Sequence, residues 1–367
     1  MTKAEIKKTI KELENSVKQL TDKKNKLFFF VVDSKGAPIG SLSYIYGIAY
    51  RLKELGYNVQ MLYAEKDFVG VKEWLGEKYA NLPHYNATKD ILDVSPSDIL
   101  FIPELYSSVM TQTKKLQCKK VAILQSFDYM TELIPFGATW ETMGIHDCIT
   151  TSESLKARLL EVFPDVKTYV IRPVIDEVFK PASTNKQLIV NIITKDEKYI
   201  NSIVKTFKWR YPAYGFVTFR YINNKPKEEF AKYISEGEIS VWIDPSTDFG
   251  YSALEAMACG NLVIGKIPEN EPEWMLKQDG TLRDNGVWFY KLRDLPDLLA
   301  GVIKAVLHEE IPASIQQDAE KTLSNYTQEL QDIDIKKVLE EGIVETRKKE
   351  LLLYKTTFEN KLEKTEE

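Results

Sequence analysis

ISVWIDPSTDFGYSALEAMACGNLVIG, residues 239–265, is the stretch on which the reading of this chain turns. An apolar run ends at Asp244, and a loop of Pro, Ser, Thr and Gly follows. A helix of strong formers then begins near Tyr251 or Ser252, stops at Gly260 and feeds a second apolar run. Strands joined through a helix by such short connections run parallel, and a parallel sheet needs helices on its faces. The same alternation recurs outward. Upstream, strands are expected at 188–193 and 216–222 with helices at 197–209 and 227–234. Further upstream, strands are expected at 27–32, 58–63, 99–102, 120–124, 148–151 and 168–171. A loop holding Gly36, Pro38 and Gly40 and a helix over 41–55 follow the first of them.

Between the two series lies VIRPVIDEVFKPA, residues 170–182, whose prolines at 173 and 181 disfavour a continuous helix and suit a crossing between domains. Four parts are expected: an amphipathic helix at 1–25, a Rossmann-like domain at 26–174, a second at 175–311 and a helical tail at 312–367. The first helix carries Ile6, Ile10, Leu13, Val17 and Leu20 on one stripe, for packing on its own domain or for a homodimer through the terminal helices. The tail carries Leu351, Tyr354, Phe358 and Leu362 on a narrower one. A chain of 367 residues matches two domains of ordinary size.

Within 244–260, Gly250 lets backbone approach a ligand closely, and the first N–H groups of the helix form an anion site of favourable polarity, suited to a pyrophosphate. Glu255 lies about one turn into the helix, where a carboxylate accepts two hydrogen bonds from a vicinal diol such as ribose. A carboxylate at a helix start also complements the dipole or caps it, which is the structural alternative.

At these residues the chain resembles the donor-binding signature of the family 4 type retaining glycosyltransferases, E-G-F-G-x-x-x-x-E-A-M-A-x-G-x-P-V-I. Phe249, Gly250, Glu255, Ala256, Met257, Ala258, Gly260, Val263 and Ile264 coincide with it. Thr247 stands where that family has its first Glu, Asp248 where it has Gly, and Leu262 where it has Pro. TTSESLKARLLE at 150–161, the crossing segment and EPEWMLKQDG at 271–280 extend the resemblance, and GAPIGSLSYIYG brings Gly40 and Ser41 into the family's Gly-rich acceptor or diphosphate loop. The resemblance implies an α/β GT-B fold, two Rossmann-like doubly wound domains facing across a cleft, with the second short of one βα unit. It implies a nucleotide diphosphate sugar as donor, with UDP or GDP as the leading bases, a glycan, lipid-linked or other hydroxyl acceptor, and transfer with retention. Glu255 would hold the ribose, and backbone at Gly250, Tyr251 and Ser252 with Lys195 and Lys198 would hold the diphosphate. Thr247, Asp248 and Phe249 would line the sugar side. Asp128, after a first-domain strand, is the candidate polar group for acceptor or sugar, against an ordinary turn role, and Glu104 ends a neighbouring strand.

Composition narrows the alternatives. No apolar run is long enough to span a bilayer and the N-terminus does not read as a secretory signal, so a cytoplasmic protein, peripheral to a membrane at most, is expected. Cys118, Cys148 and Cys259 are dispersed and read as buried thiols; with His84, His146 and His308 they suggest no metal site, and no cofactor is expected. His146 reads as structural. A net charge of −5 gives no long-range attraction to nucleic acid, leaving a local basic patch open. Loss of the first Glu keeps a second function in view: a nucleotide-sugar-binding or scaffolding protein without turnover. A sugar-nucleotide epimerase is a third reading, for which no acid and base pair stands out.

Overall fold

Seven strands of the N-terminal half pair into one sheet. In the computed structural model, which describes residues 1–35, 39–182 and 186–364, they are β1 (Lys26–Phe30), β2 (Asn58–Tyr63), β3 (His84–Asn86), β4 (Ile99–Pro103), β5 (Lys119–Leu124), β6 (Asp147–Thr150) and β7 (Lys167–Val170). All pairs are parallel, in the order β3-β2-β1-β4-β5-β6-β7. Strands buried on both faces are apolar throughout rather than alternating, as in ILFIP and KKVAIL, where every residue is buried. Phe29 of β1 stacks on Phe101 of β4 with centroids 4.4 Å apart. The two lysines of β5 are the exceptions: Lys119 meets the fully buried Asp147 and lies 2.7 Å from Glu350. Of the loop after β1, residues 36–38 fall outside the described residues; Gly40 and Ser41 open the helix Gly40–Glu54.

The second sheet holds β8 (Gln187–Thr194), β9 (Thr218–Ile222), β10 (Gly237–Ile243), β11 (Leu262–Lys266) and β12 (Val287–Phe289), all parallel, in the order β12-β11-β10-β8-β9. Helices Glu197–Arg210 and Lys227–Glu236 lead out of β8 and β9, and Tyr251–Ala258 joins β10 to β11. The chain leaves β8 toward one edge, for β9, and leaves β10 toward the other, for β11. The order therefore reverses between β8 and β10, and in such sheets the crevice at the strand C-termini at this point is where ligands bind.

The chain divides into two compact units, Met1–Lys72 with Gly76–Arg172 and Gln331–Glu367, and Pro173–Leu330 with Glu73–Leu75. The tail expected over 312–367 is thus shared. Its first helix, Ala313–Leu323, lies in the second unit, where Arg283 holds Asp318 at 2.9 Å. Beyond Leu330 the chain belongs to the first. There Asp334 pairs with Arg172 at 2.6 Å, and Glu340 accepts from Lys23 and Tyr57 at 2.7 Å. The helix Glu345–Glu363 packs along the N-terminal helix Lys3–Thr21, with Lys355 3.0 Å from Glu14. Ile6, Leu13 and Leu20 of the N-terminal stripe are buried; of the C-terminal stripe Leu351 is buried and Tyr354 is 56% exposed. The three cysteines are buried and free, and His146 is exposed.

Candidate functional site

Sequence builds the reversal point of the second sheet through two loops. Ile243 of β10 lies beside Thr194 of β8 in register, so Asp244 and Lys195, the next residue on each strand, leave the sheet side by side. The Lys195 ammonium is 3.4 Å from the Asp244 carboxylate and its side chain is 82% exposed. Asp196 caps the following helix by accepting from the Lys198 backbone at 3.1 Å, and its other oxygen is 2.6 Å from Lys198 Nζ.

Gly250 then fixes the loop 244–250. It has φ 75° and ψ 50°, the left-handed region, and a Cβ there would stand 2.7 Å from Trp242 Cζ2 and 3.4 Å from Trp274 Cζ2. Its N–H donates to Thr247 Oγ1 at 2.9 Å, and Trp274 Nε1 donates to the Phe249 carbonyl. Thr247, which stands where the resembled family has its first Glu, is thus the hydroxyl that closes the loop. Phe249 is buried, its ring 4.6 Å from that of Tyr251 and 5.3 Å from that of Tyr326; Asp248 is also buried. The helix Tyr251–Ala258 starts directly after this turn with no side-chain cap among the described residues. At its other end Gly260, φ 72°, donates to Met257 O, and Asn261 donates to Ala256 O, a paired closure that uses the last carbonyls. Asn261 then accepts from Ser240 at 2.9 Å and donates to Ile234 at 3.0 Å, pinning the helix to β10 and to the helix before it.

Glu255 projects from this doubly anchored helix and is half-buried. Burial pushes its carboxyl up to about 7 from 4.5; Lys227 opposes that shift and Asp176 adds to it. Lys227 Nζ is 2.9 Å from Asp176 Oδ2. Neither residue figures in the sequence reading, and no local signal marks them, because they come from another helix and from the crossing segment. Thr247, Asp248, Phe249, Gly250, Tyr251, Ser252 and Glu255 are consecutive or one turn apart, and the sheet brings Lys195 beside Asp244, where their loop starts. Lys198 sits a turn further along its own helix.

Gly40, Ser41, Glu104 and Asp128 belong to the first unit. There the order reverses between β1 and β4. The Ser41 carbonyl accepts from Gln125 Nε2 at 3.1 Å, and Glu104, 2% exposed at the end of β4, accepts from the N–H groups of Gln125 and Ser126 at 3.1 and 2.9 Å. Asp128, in the first turn of the helix Phe127–Leu133, meets Arg158 at 3.3 Å. No group of His, Cys, Asp and Glu among the described residues is arranged to hold a metal ion, and no described helix is long and apolar enough to cross a membrane.

No protein-family model matches the chain. An α-1,6-glucosyltransferase of Actinobacillus pleuropneumoniae serotype 7 is 24% identical over 224 residues, 58% of this chain, and the chain spans 64% of the length of that curated relative. Among solved structures, sucrose-phosphate synthase from Thermosynechococcus elongatus superposes with a TM-score of 0.63 at 13% identity, covering 86% of this chain and 98% of its own. Anabaena HepE in complex with UDP does so with a TM-score of 0.61 at 12% identity, covering 86% of this chain and 100% of its own. The fold is the α/β GT-B fold, two parallel sheets with helices on their faces.

Proposed function

We propose that this chain is a glycosyltransferase that moves a sugar from a nucleotide diphosphate donor to a hydroxyl acceptor, with retention of configuration and without a metal. The observation that carries this reading is the anchored helix Tyr251–Ala258 at the reversal point of the second sheet, with Gly250 at its mouth and Glu255 one turn in. In this reading the ribose hydroxyls donate to Glu255. The diphosphate lies against the backbone of Gly250, Tyr251 and Ser252, at the positive end of the helix, and Lys195 with Lys198 neutralises the leaving group as the glycosidic bond breaks. Among the described residues Lys195 is tethered to Asp244 alone, at 3.4 Å, and it is exposed, so its reorientation toward a phosphate costs little. Thr247 and Asp248 line the sugar side, while Phe249 acts through its backbone and by packing. The first unit supplies the acceptor side, with Gly40, Ser41 and Asp128. The glucosyltransferase relative and the UDP complex of a structural neighbour favour a uridine diphosphate sugar, with glucose the first sugar to try.

The test is thermal stabilisation of the purified protein by UDP-, GDP-, ADP- and TDP-sugars, with Glu255→Ala beside the wild type, since a ligand that prefers the folded state raises the midpoint. A rise with one base that vanishes in the variant supports the donor site. Release of nucleoside diphosphate on adding a hydroxyl acceptor then supports turnover. No rise with any of them, in folded protein, overturns the reading.

A further inference from the structure

Tyr326 lies in the short connection after the helix Ala313–Leu323, shortly before the chain leaves the second unit at Leu330. Connections run over the surface, yet this large side chain is buried. What receives it is Phe249: the two rings meet edge to face, with centroids 5.3 Å apart and planes at 78°, the arrangement that ring quadrupoles favour. The backbone behind the ring is fixed on two sides. Its N–H donates to the Leu323 carbonyl at 2.9 Å, and its carbonyl accepts from Ile175 N of the crossing segment at 3.1 Å. The same helix end also reaches the Phe249 carbonyl, through Trp274. Trp274 Nε1 donates to that carbonyl, and the carbonyl of Trp274 accepts from Asn285 Nδ2 at 3.0 Å. Asn285 Nδ2 is in turn 3.0 Å from Oγ1 of Thr322, in the last turn of the helix. Ring and carbonyl of Phe249 are therefore both held from one place outside the loop.

We propose that Tyr326 is a positioning residue for nucleotide binding: its ring, mounted at the end of the helix Ala313–Leu323, holds Phe249 so that the helix start at Tyr251 and Ser252 keeps its aim at the diphosphate. This rests on the reading that the diphosphate lies against that backbone. The first N–H groups of a helix have no partner within it, so their direction depends on the turn that leads in. Here that turn is Phe249 and Gly250, and a glycine in the left-handed region does not by itself hold a direction, because it has the widest choice of backbone conformations. Contacts from outside the loop restrict it before the ligand arrives, and the cost of ordering it is then not charged to binding. With the Tyr326 ring removed, Phe249 loses the aromatic edge it packs against, and the loop must be ordered when the nucleotide binds. The contact joins residues far apart in the chain, so it exists only in the folded second unit.

The experiment is calorimetric titration with UDP, and with GDP and ADP in parallel, each variant first shown to be folded by thermal melting. The variants are Tyr326→Ala, Tyr326→Phe, Phe249→Leu, the double variant of Phe249→Leu with Tyr326→Ala, and Phe207→Leu. Phe207, fully buried against Tyr214 and Phe219 in the same unit, is the control for lost stability alone. Tyr326→Ala is expected to weaken nucleotide binding about tenfold, and Tyr326→Phe, which keeps the ring, to stay within about twofold of wild type. Should Tyr326→Ala not fold, Tyr326→Leu, which keeps apolar bulk without an aromatic edge, takes its place with the same expectation. The double variant should bind no more weakly than the weaker single one, because both remove one contact. Phe207→Leu should melt lower and bind like wild type. The role given to Tyr326 is overturned, while the donor site stands, if Tyr326→Ala binds like wild type or Tyr326→Phe fails to restore binding. The same follows if the two single losses add, or if Phe207→Leu weakens binding as much as Tyr326→Ala. If folded wild type takes up none of the three diphosphates, the donor reading itself fails, and this inference with it.

Discussion

Glu255 concentrates the chemistry of the second unit in one titration. In the folded chain burial holds its carboxyl at about 7, against 4.5 when unfolded. Between those values the folded protein keeps a proton that the unfolded chain has released, so stability declines as pH rises from about 4.5 to about 7 and is level above that. At about 1.4 kcal/mol per pH unit the whole decline amounts to about 3 kcal/mol. Glu255→Gln removes the titration. Its melting temperature, matched to wild type near pH 4.5, is expected to exceed it by several degrees at pH 8 in ligand-free protein, and a thermal melt at the two pH values checks this. The same substitution should weaken sugar-nucleotide binding, so stability and binding change in opposite directions at this residue.

At the scale of elements, the loop 244–250 and the helix after it form one rigid piece because both ends are locked by residues outside it: Trp242 and Trp274 at Gly250, and Ser240 and Ile234 at Asn261. Gly250→Ala meets two costs, a left-handed backbone for a residue with a Cβ and an overlap with the Trp242 ring. Together they amount to about 2–4 kcal/mol, and the expected result is a clear drop in the denaturant midpoint with an altered tryptophan emission. The bounds of this helix were close to legible in the sequence, since Gly250 and Gly260 bracket a run of strong helix formers. The two strands flanking it were equally plain as apolar runs. The three-residue β3 and the single-turn helices Lys72–Leu75 and Glu77–Ala80 were not, because elements that short carry too few residues for a period to show.

For the whole molecule, the consequential feature is that the chain returns to its beginning. Residues 331–367 belong to the unit that opens at Met1, and they bring Ile335, Val338, Leu339, Ile343 and Leu351 into its core. They also supply one acidic partner to each of Arg51, Lys119 and Arg172: Asp332, Glu350 and Asp334. A chain ending at Leu330 should therefore lose amide-exchange protection throughout β1–β7 while keeping it in β8–β12, the reverse of what sequence proximity suggests. Protection lost from the second sheet instead would contradict the division.

The sequence by itself determined the parallel, doubly wound class and the strand, loop and helix that carry Glu255, because apolar periodicity, helix formers and Gly punctuation act over a few neighbouring residues. The tertiary structure alone decided where the tail is shared between the units, that Thr247 closes its loop, and which charges face Glu255. Lys227 and Asp176 act on the charge of that carboxylate only through the packing of a helix and a turn distant in the chain, and the ionisation of a buried group depends on what surrounds it in space.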